Sequence, residues 1–280
     1  MRTWLKWLLK IVVTGLALYL TFRKIDWQHS SHLLLSANAW WLLLALLGYN
    51  VSQFISARRL QYFYEALSIP LSYLLNLRLY YKGMFYNLFL PGGIGGDGYK
   101  VHYLYRHYHK PVKKLATATL LDRLNGLVVL GFLIVLPASM GLVPAAALPF
   151  ASWIPLAIYL AGTALYVFII YFFLRIYFPV IHKATLMAVF VQGAQLLSVI
   201  CIMQALHLGG PLIPFLLLFL ASSIAAVIPF TIGGMGAREL VFMSGATLLG
   251  VSGEQAVAVS LLFFLLTAVS SLCGAVVKVK

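Results

Sequence analysis

The chain has 280 residues, of which 62% are hydrophobic and 9% are charged, with a net charge of +14. Because a soluble domain carries about 25% charged residues, this composition excludes a water-soluble protein and predicts an all-α polytopic membrane protein. A β-barrel is disfavoured because the apolar runs are continuous rather than alternating with period two. The basic residues lie mostly between apolar runs, where membrane topology explains them without a nucleic-acid partner.

Six apolar segments are long enough, at about 20 residues each, to cross a bilayer as helices. They lie at about 4–22, 37–57, 115–136, 152–174, 184–206 and 255–277. The first follows a basic start, as a signal sequence does, but it lacks a small-residue cleavage site and is predicted to remain as a transmembrane helix. Residues 1–280 are therefore predicted to form a single membrane domain, with no soluble domain left over.

Two further apolar units, at about 71–112 and 211–250, are broken by glycine-rich turns. The turns read LPGGIGGDGYK (90–100) and IPFTIGGMGAR (228–238). At an offset of 138 they share a proline, an isoleucine and three glycines, and Lys100 then aligns with Arg238. Because three full helices separate the units, the second enters the membrane from the opposite face. The pattern predicts the inverted repeat of broken helices found in many transporters.

Orientation follows from the placement of Lys and Arg. With the N-terminus in the cytoplasm and both broken units re-entrant, only Arg23, Lys24 and Arg238 fall in the outer half, as the positive-inside rule requires. A fully spanning first unit would instead place the basic run from Lys100 to Lys114 outside. We therefore predict two re-entrant hairpins in a cytoplasmic (inner) membrane, with both termini cytoplasmic.

Each glycine-rich turn carries the groups that an anion site needs. Proline interrupts a helix, glycines permit positive φ and close backbone approach, and the N–H groups that open the next half-helix attract anions. The alternative is that the glycines only allow tight helix packing, which leaves the prolines and cations unexplained. The predicted substrate-binding residues of the turns are Pro91, Gly92, Gly93, Gly95, Gly96, Asp97 and Lys100, and Pro229, Gly233, Gly234, Gly236, Arg238 and Glu239.

Acids at membrane depth are costly and usually face a partner or a cavity. Asp122 and Arg123 are adjacent on one predicted helix, so they point to different faces and need different partners; both join the predicted binding residues. We expect Asp97 to pair with Arg123 or a nearby cation, and Glu239 to pair with a basic residue across the cavity. For Asp122 and for Glu254, simple placement near a helix N-terminus is the alternative.

No catalytic residue, metal or cofactor is predicted. His102, His107 and His109 alternate with tyrosines, which favours an aromatic, basic interfacial helix over a metal site. GIGGDG at 93–98 has the spacing of a dinucleotide fingerprint but follows no strand. There is no ATP-binding G-x-x-x-x-G-K-[ST] motif, so turnover is expected to depend on the lipid gradient, the membrane potential or protons.

The sequence resembles the membrane domain of lysylphosphatidylglycerol synthases, a flippase-like domain, over nearly the whole chain. The motifs that carry the resemblance are KIDW (24–27), RRL (58–60), NLFLPGGIGGDGYK (87–100), LLDRLNGL (120–127) and PFTIGGMGARE (229–239). The resemblance implies movement of a lipid across the cytoplasmic membrane. Aminoacylated phosphatidylglycerol is the best-known cargo of the family, and relatives are linked to polyprenyl-linked sugars.

The chain departs from the family pattern in two respects. It shows no soluble aminoacyl-transfer domain, and Lys100 stands where an arginine is common, which keeps the charge but loses the bidentate fork for phosphate. Our first hypothesis is a lipid flippase that is not an enzyme. The alternatives are a non-transporting partner of a separate glycosyl- or aminoacyl-transferase, and an integral membrane transferase in which Glu239 would be the acid. The oligomeric state is left open.

Overall fold

The computed structural model describes residues 36–89, 95–143, 153–227 and 236–279. Within these ranges the chain forms nine α-helices and one short 3₁₀ turn, Arg175–Tyr177, which confirms the predicted all-α class. In chain order the helices are α1 Ala39–Glu65, α2 Tyr73–Phe89, α3 Gly95–Tyr108, α4 Val112–Ser139, α5 Trp153–Phe173, α6 Phe178–Ala205, α7 Leu212–Val227, α8 Ala237–Leu249 and α9 Gly253–Val276.

Five of these helices, α1, α4, α5, α6 and α9, are long and apolar enough to cross a bilayer. They match five of the six predicted spans, and the sixth, at 4–22, lies outside the described residues. Two of them begin at side-chain caps: Asn38 accepts a hydrogen bond from the Trp40 N–H at 2.9 Å, and Ser252 caps α9 through the Gln255 N–H. Glu254 therefore lies in the first turn of α9, as the helix-start interpretation predicted.

Helix α1 is longer than predicted, because it continues past residue 57 to Glu65. The prediction ended this helix where polar residues begin. In the structure Arg59 and Gln61 are buried, and they bond Asp122 and the Leu71 carbonyl respectively. Polar residues with buried partners can therefore extend a helix beyond its apolar run.

The four remaining helices, α2, α3, α7 and α8, have 17, 14, 16 and 13 residues. Each is shorter than the roughly 20 residues that a straight crossing needs. α2 packs against α3, and α7 packs against α8, so each predicted broken unit forms a helical hairpin. Both hairpins lie within the predicted units at about 71–112 and 211–250.

The packing of the helices repeats itself. α1 packs on α6, and the unit formed by α1 to α4 corresponds in order and length to the unit formed by α6 to α9. α2 contacts α9, as α7 contacts α4; α4 contacts α6, as α9 contacts α1; and α3 contacts α4, as α8 contacts α9. Each of these contacts made by a helix of one unit is therefore repeated by the corresponding helix of the other unit, as in two structural repeats related by a pseudo-two-fold axis. It extends the sequence repeat from two turns to two four-helix units.

The buried apolar side chains form two separate cores. One joins the C-terminal half of α1 to the start of α4 and includes Phe63 and Leu115. The other joins the end of α6 to α7, α8 and α9 and includes Phe219 and Phe263. Between the two cores the long helices carry polar side chains near their midpoints. This division leaves a polar layer about halfway along the bundle, and the candidate site lies there.

Candidate functional site

Two adjoining cavities of about 250 and 320 Å³ occupy the polar layer between the cores. We call them together the chamber. The residues that line both cavities include Gln53 of α1, Arg123 of α4, Gln195 of α6, Ser223 of α7 and Arg238 of α8. Because both four-helix units contribute side chains, the chamber lies at the interface of the repeats, which is where inverted-repeat transporters bind their substrates.

Asp97 and Lys100 of the first glycine-rich unit meet Arg123 of α4 at the chamber wall. The two Asp97 oxygens lie 2.8 Å from the Lys100 Nζ and 2.5 Å from the Arg123 Nη2. Lys100 is buried, and its ammonium also lies 4.9 Å from the centre of the Tyr80 ring. The predicted pairing of Asp97 with Arg123 is confirmed. Asp97 holds both cations, and the cluster of three keeps one positive charge in excess.

Asp122 forms a second ion pair, and its partner is a residue that the sequence analysis did not include in the site. The Arg59 guanidinium donates two hydrogen bonds to the Asp122 carboxylate, at 2.7 and 3.1 Å, and both residues are buried. A Cβ at Gly126 would lie 3.1 Å from the Arg59 Nη1, so a glycine there leaves room for the pair. The helix N-terminus explanation for Asp122 is wrong, because the first turn of α4 contains no acid.

The half-helix starts use some of their N–H groups internally. The Gly96 N–H donates to the Asn87 Oδ1 at 2.7 Å, and the Gly236 N–H donates to the Glu239 Oε2 at 2.7 Å. Gly236 has a φ of 84°, which a glycine adopts without strain. These contacts correct the expectation that the helix starts are open to an anion at these two N–H groups.

Glu239 has a different position from the one predicted. It is fully buried, its Oε1 accepts a hydrogen bond from the Ser260 hydroxyl at 3.2 Å, and it has no ion pair among the described residues. It is also absent from the described residues that line the chamber. The expected partner across the cavity is therefore replaced by the Gly236 N–H and Ser260. The carboxylate caps α8 and fixes it to α9.

Arg238 of α8 also lines the chamber but has a different electrostatic setting. Its guanidinium carbon lies 5.8 Å from the Phe219 ring centre and 5.2 Å from that of Phe263. Its buried Nη1 has no hydrogen-bond partner within the described part of the chain, and the same holds for the Gln192 Oε1 and the Ser223 Oγ. Buried polar atoms are normally satisfied, so these three side chains form a site that can accept a hydrogen-bonding ligand.

The charges of the chamber are unequal. Within the described ranges, four cations and two carboxylates line the smaller cavity: Arg59, Lys100, Arg123 and Arg238, and Asp97 and Asp122. Both carboxylates are already paired with cations. An excess of cations in a membrane interior is stabilised by an anion, and guanidinium groups bind phosphate and carboxylate oxygens in particular.

The predicted site residues divide into three groups. Those that line the chamber are Asp97, Lys100, Asp122, Arg123 and Arg238. Those that shape the half-helix starts are Gly95, Gly96, Gly236 and Glu239. Those that lie outside the described residues are Pro91, Gly92, Gly93, Pro229, Gly233 and Gly234. The RRL motif was the signal that pointed to Arg59, but only the fold shows its partner.

Within the described ranges no group of three or more His, Cys, Asp or Glu residues is placed to hold a metal ion. His107 stacks on Tyr103 with the ring centres 3.9 Å apart. This contact fits the aromatic, basic helix that the sequence predicted.

Comparison with known proteins gives one clear match. The family model described as "Lysylphosphatidylglycerol synthase TM region" matches residues 7–274, which is nearly the whole chain. No curated protein matches it.

Proposed function

We propose that this chain, which belongs to the lysylphosphatidylglycerol synthase transmembrane family, moves a lipid with an anionic headgroup between the leaflets of a cytoplasmic membrane. Family membership supports a flippase-like membrane domain. An anionic cargo is proposed because the chamber, which lies midway along the helices, is lined by an excess of cations. One of these cations, Arg238, has a side-chain nitrogen without a hydrogen-bond partner among the described residues. A charge so placed is expected to serve a substrate pathway.

The chamber suggests how a phosphate group would be held. Arg238 offers an Nη1 that no described residue bonds, and the hydroxyl of Ser223 offers a further donor. Gln192 can bond either a phosphate or a sugar or amino headgroup. Arg123 can exchange one oxyanion, the Asp97 carboxylate, for another, the phosphate, because both accept the same guanidinium hydrogen bonds. The Arg59–Asp122 pair stays intact and fixes α1 to α4 during this exchange.

Movement between leaflets is expected to use the two repeats. In inverted-repeat transporters one unit rocks against the other around a central site. Here Lys100 is part of the α2–α3 hairpin, and Arg238 is part of the α7–α8 hairpin. Opening of each hairpin in turn would expose the headgroup to one side and then to the other. The driving force is proposed to be the lipid gradient, the membrane potential or protons.

The cargo is proposed by class. Aminoacylated phosphatidylglycerol, another phospholipid and a polyprenyl-linked sugar all carry the phosphate that the cations would bind. A separate lipid-modifying transferase is the proposed partner that supplies a modified lipid. The transferase alternative depended on Glu239, whose carboxylate is occupied in capping α8. This position favours transport over chemistry at Glu239.

The test is mass spectrometry of the lipids that co-purify with wild type and with Arg238→Gln, which removes the charge but keeps a polar side chain. Arg78→Gln is the matched control, because Arg78 is exposed on α2 and does not line the chamber. We expect one anionic lipid class enriched on wild type and on the control and reduced about tenfold on Arg238→Gln, as for loss of one buried charge-assisted contact of about 1.5 kcal/mol.

Equal amounts of bulk lipid on all three proteins would overturn the anionic-cargo proposal. A transferase that co-purifies with a chain showing no selective lipid enrichment would instead support the non-transporting partner.

A further inference from the structure

A third cavity of about 380 Å³ lies beside the chamber, between α3 and α4, and we call it the side groove. Its walls are apolar and are formed by Gly98 and Val101 of α3 and by Ala116, Leu120 and Leu124 of α4. Leu120 is 55% exposed and Leu124 is 36% exposed. On a helix that crosses the bilayer these exposed leucines face lipid, so the groove opens sideways to hydrocarbon.

The side groove has almost no polar surface of its own. Thr119 is its hydroxyl-bearing residue within the described ranges, and that hydroxyl donates to the Leu115 carbonyl at 3.1 Å and also lies 3.1 Å from the Tyr64 hydroxyl. The hydroxyl is thus occupied in the core. A volume of this size lies in the range of ligand pockets, roughly 300–1,000 Å³, and walls of this kind suit a hydrocarbon chain.

The groove adjoins the chamber. Asp97, Arg123, Leu127 and Val227 line both. A molecule that enters from the bilayer therefore contacts first the apolar walls of the side groove and then the Asp97–Arg123 ion pair. Inside the chamber it contacts the polar atoms of Gln192, Ser223 and Arg238. Hydrocarbon, phosphate and polar headgroup follow one another in the same order along a phospholipid.

We infer that the side groove holds one hydrocarbon chain of the transported lipid while its headgroup lies in the chamber, an inference that rests on the proposed function. Arg123 stands at the junction and meets the lipid phosphate, and the Asp97–Arg123 pair is the gate between chain and headgroup compartments. The chain stays in an apolar environment throughout, so the bundle needs to shield only the headgroup. The substrate class is then a lipid whose phosphate adjoins its hydrocarbon.

The experiment uses phosphatidylglycerol with a photoreactive diazirine at the end of one acyl chain, in vesicles of phosphatidylcholine that contain the full-length protein. Ala116→Trp fills the groove from an exposed position, and Ala161→Trp adds the same side chain to an exposed position on α5. After illumination, peptide mass spectrometry locates the label, and retention of the unlabelled anionic lipid is measured in parallel.

We expect the label to concentrate on α3 and α4 in wild type and Ala161→Trp and to fall about tenfold in Ala116→Trp, as when about two methylenes lose their buried site. Label spread evenly over lipid-facing helices, with selective retention of anionic lipid intact, would overturn the groove and leave the proposed function standing. Groove labelling that is equal for phosphatidylcholine carrying the same diazirine, with no anionic retention, would overturn both.

Discussion

The two glycine-rich units share a sequence pattern and a packing position, yet their cations differ in environment. Lys100 of the first unit is paired with Asp97, which also binds Arg123. Arg238 of the second unit lies against two aromatic rings and keeps an unpartnered Nη1 among the described residues. Each hairpin thus has a cation, but among the described residues only the cation of the first unit is neutralised by a carboxylate. We call the first unit the balanced side, whose ion pairs hold the chamber wall together, and the second unit the unbalanced side, where a bound anion would gain the most electrostatic energy.

The largest expected effect concerns the stability of the balanced side. Arg59→Ala leaves the buried Asp122 carboxylate without its partner, and breaking a buried pair in this way costs about 3–5 kcal/mol. Heating the purified protein in detergent and measuring the remaining monodisperse fraction should show a large loss of stability. The double variant Arg59→Met with Asp122→Leu should recover most of it, because it leaves no buried charge.

Arg238→Gln, assayed in the same way, tests the cation of the second unit. It should lose less stability than Arg59→Ala, since it gives up the cation–π contacts with Phe219 and Phe263 but breaks no described hydrogen bond or ion pair. If Arg238→Gln were as unstable as Arg59→Ala, the division into a structural and a receptive side would be wrong.

A second prediction concerns the close backbone contact within the first hairpin. A Cβ at Gly96 would collide with the Gly83 backbone, whereas one at Gly98 meets nothing within 4 Å. Gly96→Ala should therefore force α3 away from α2 and destabilise the protein by about 1–3 kcal/mol. Gly98→Ala is the matched control, and thermal stability should stay within about 1 kcal/mol of wild type.

The second hairpin uses its glycine differently, so the same substitution has a different cause there. Gly236 has a φ of 84°, and alanine at this φ is expected to cost roughly 1–2 kcal/mol through local strain. Retention of anionic lipid is the measurement for Gly96→Ala. This substitution moves Lys100 and Asp97 together with α3, so it should lower the amount of anionic lipid that the protein retains. Equal tolerance of alanine at Gly96 and Gly98 would contradict the close α2–α3 contact.

The sequence was sufficient to predict most of the fold. Apolar length located five described spans, and the shared turns at an offset of 138 located both hairpins. It also predicted the Asp97–Arg123 pair, because an acid inside a membrane needs a cation. It could not supply the Arg59–Asp122 pair, since the two residues are 63 positions apart and meet only when α1 packs on α4. Glu239 was misassigned because capping by its own helix start satisfies the carboxylate as well as a distant cation would.

The smallest and most specific effect is expected from Asp97→Asn, which makes the first unit resemble the second. The substitution removes the carboxylate that competes with a lipid phosphate for Lys100 and Arg123. Retention of anionic lipid should rise about tenfold, as for a charge-pair coupling of about 1.5 kcal/mol, while transfer between leaflets should slow because the phosphate leaves less readily.

The measurement is the ratio of anionic to zwitterionic lipid retained, together with the rate at which a fluorescent lipid changes leaflet in vesicles. Glu65→Gln is the matched control, since it breaks an exposed pair with Arg58 that lies outside the chamber, and exposed pairs contribute little. Unchanged retention in Asp97→Asn would mean that Lys100 and Arg123 do not bind the headgroup. The anion site would then consist of Arg238 and its neighbours alone, and the balanced unit would serve only to hold the hairpin in place.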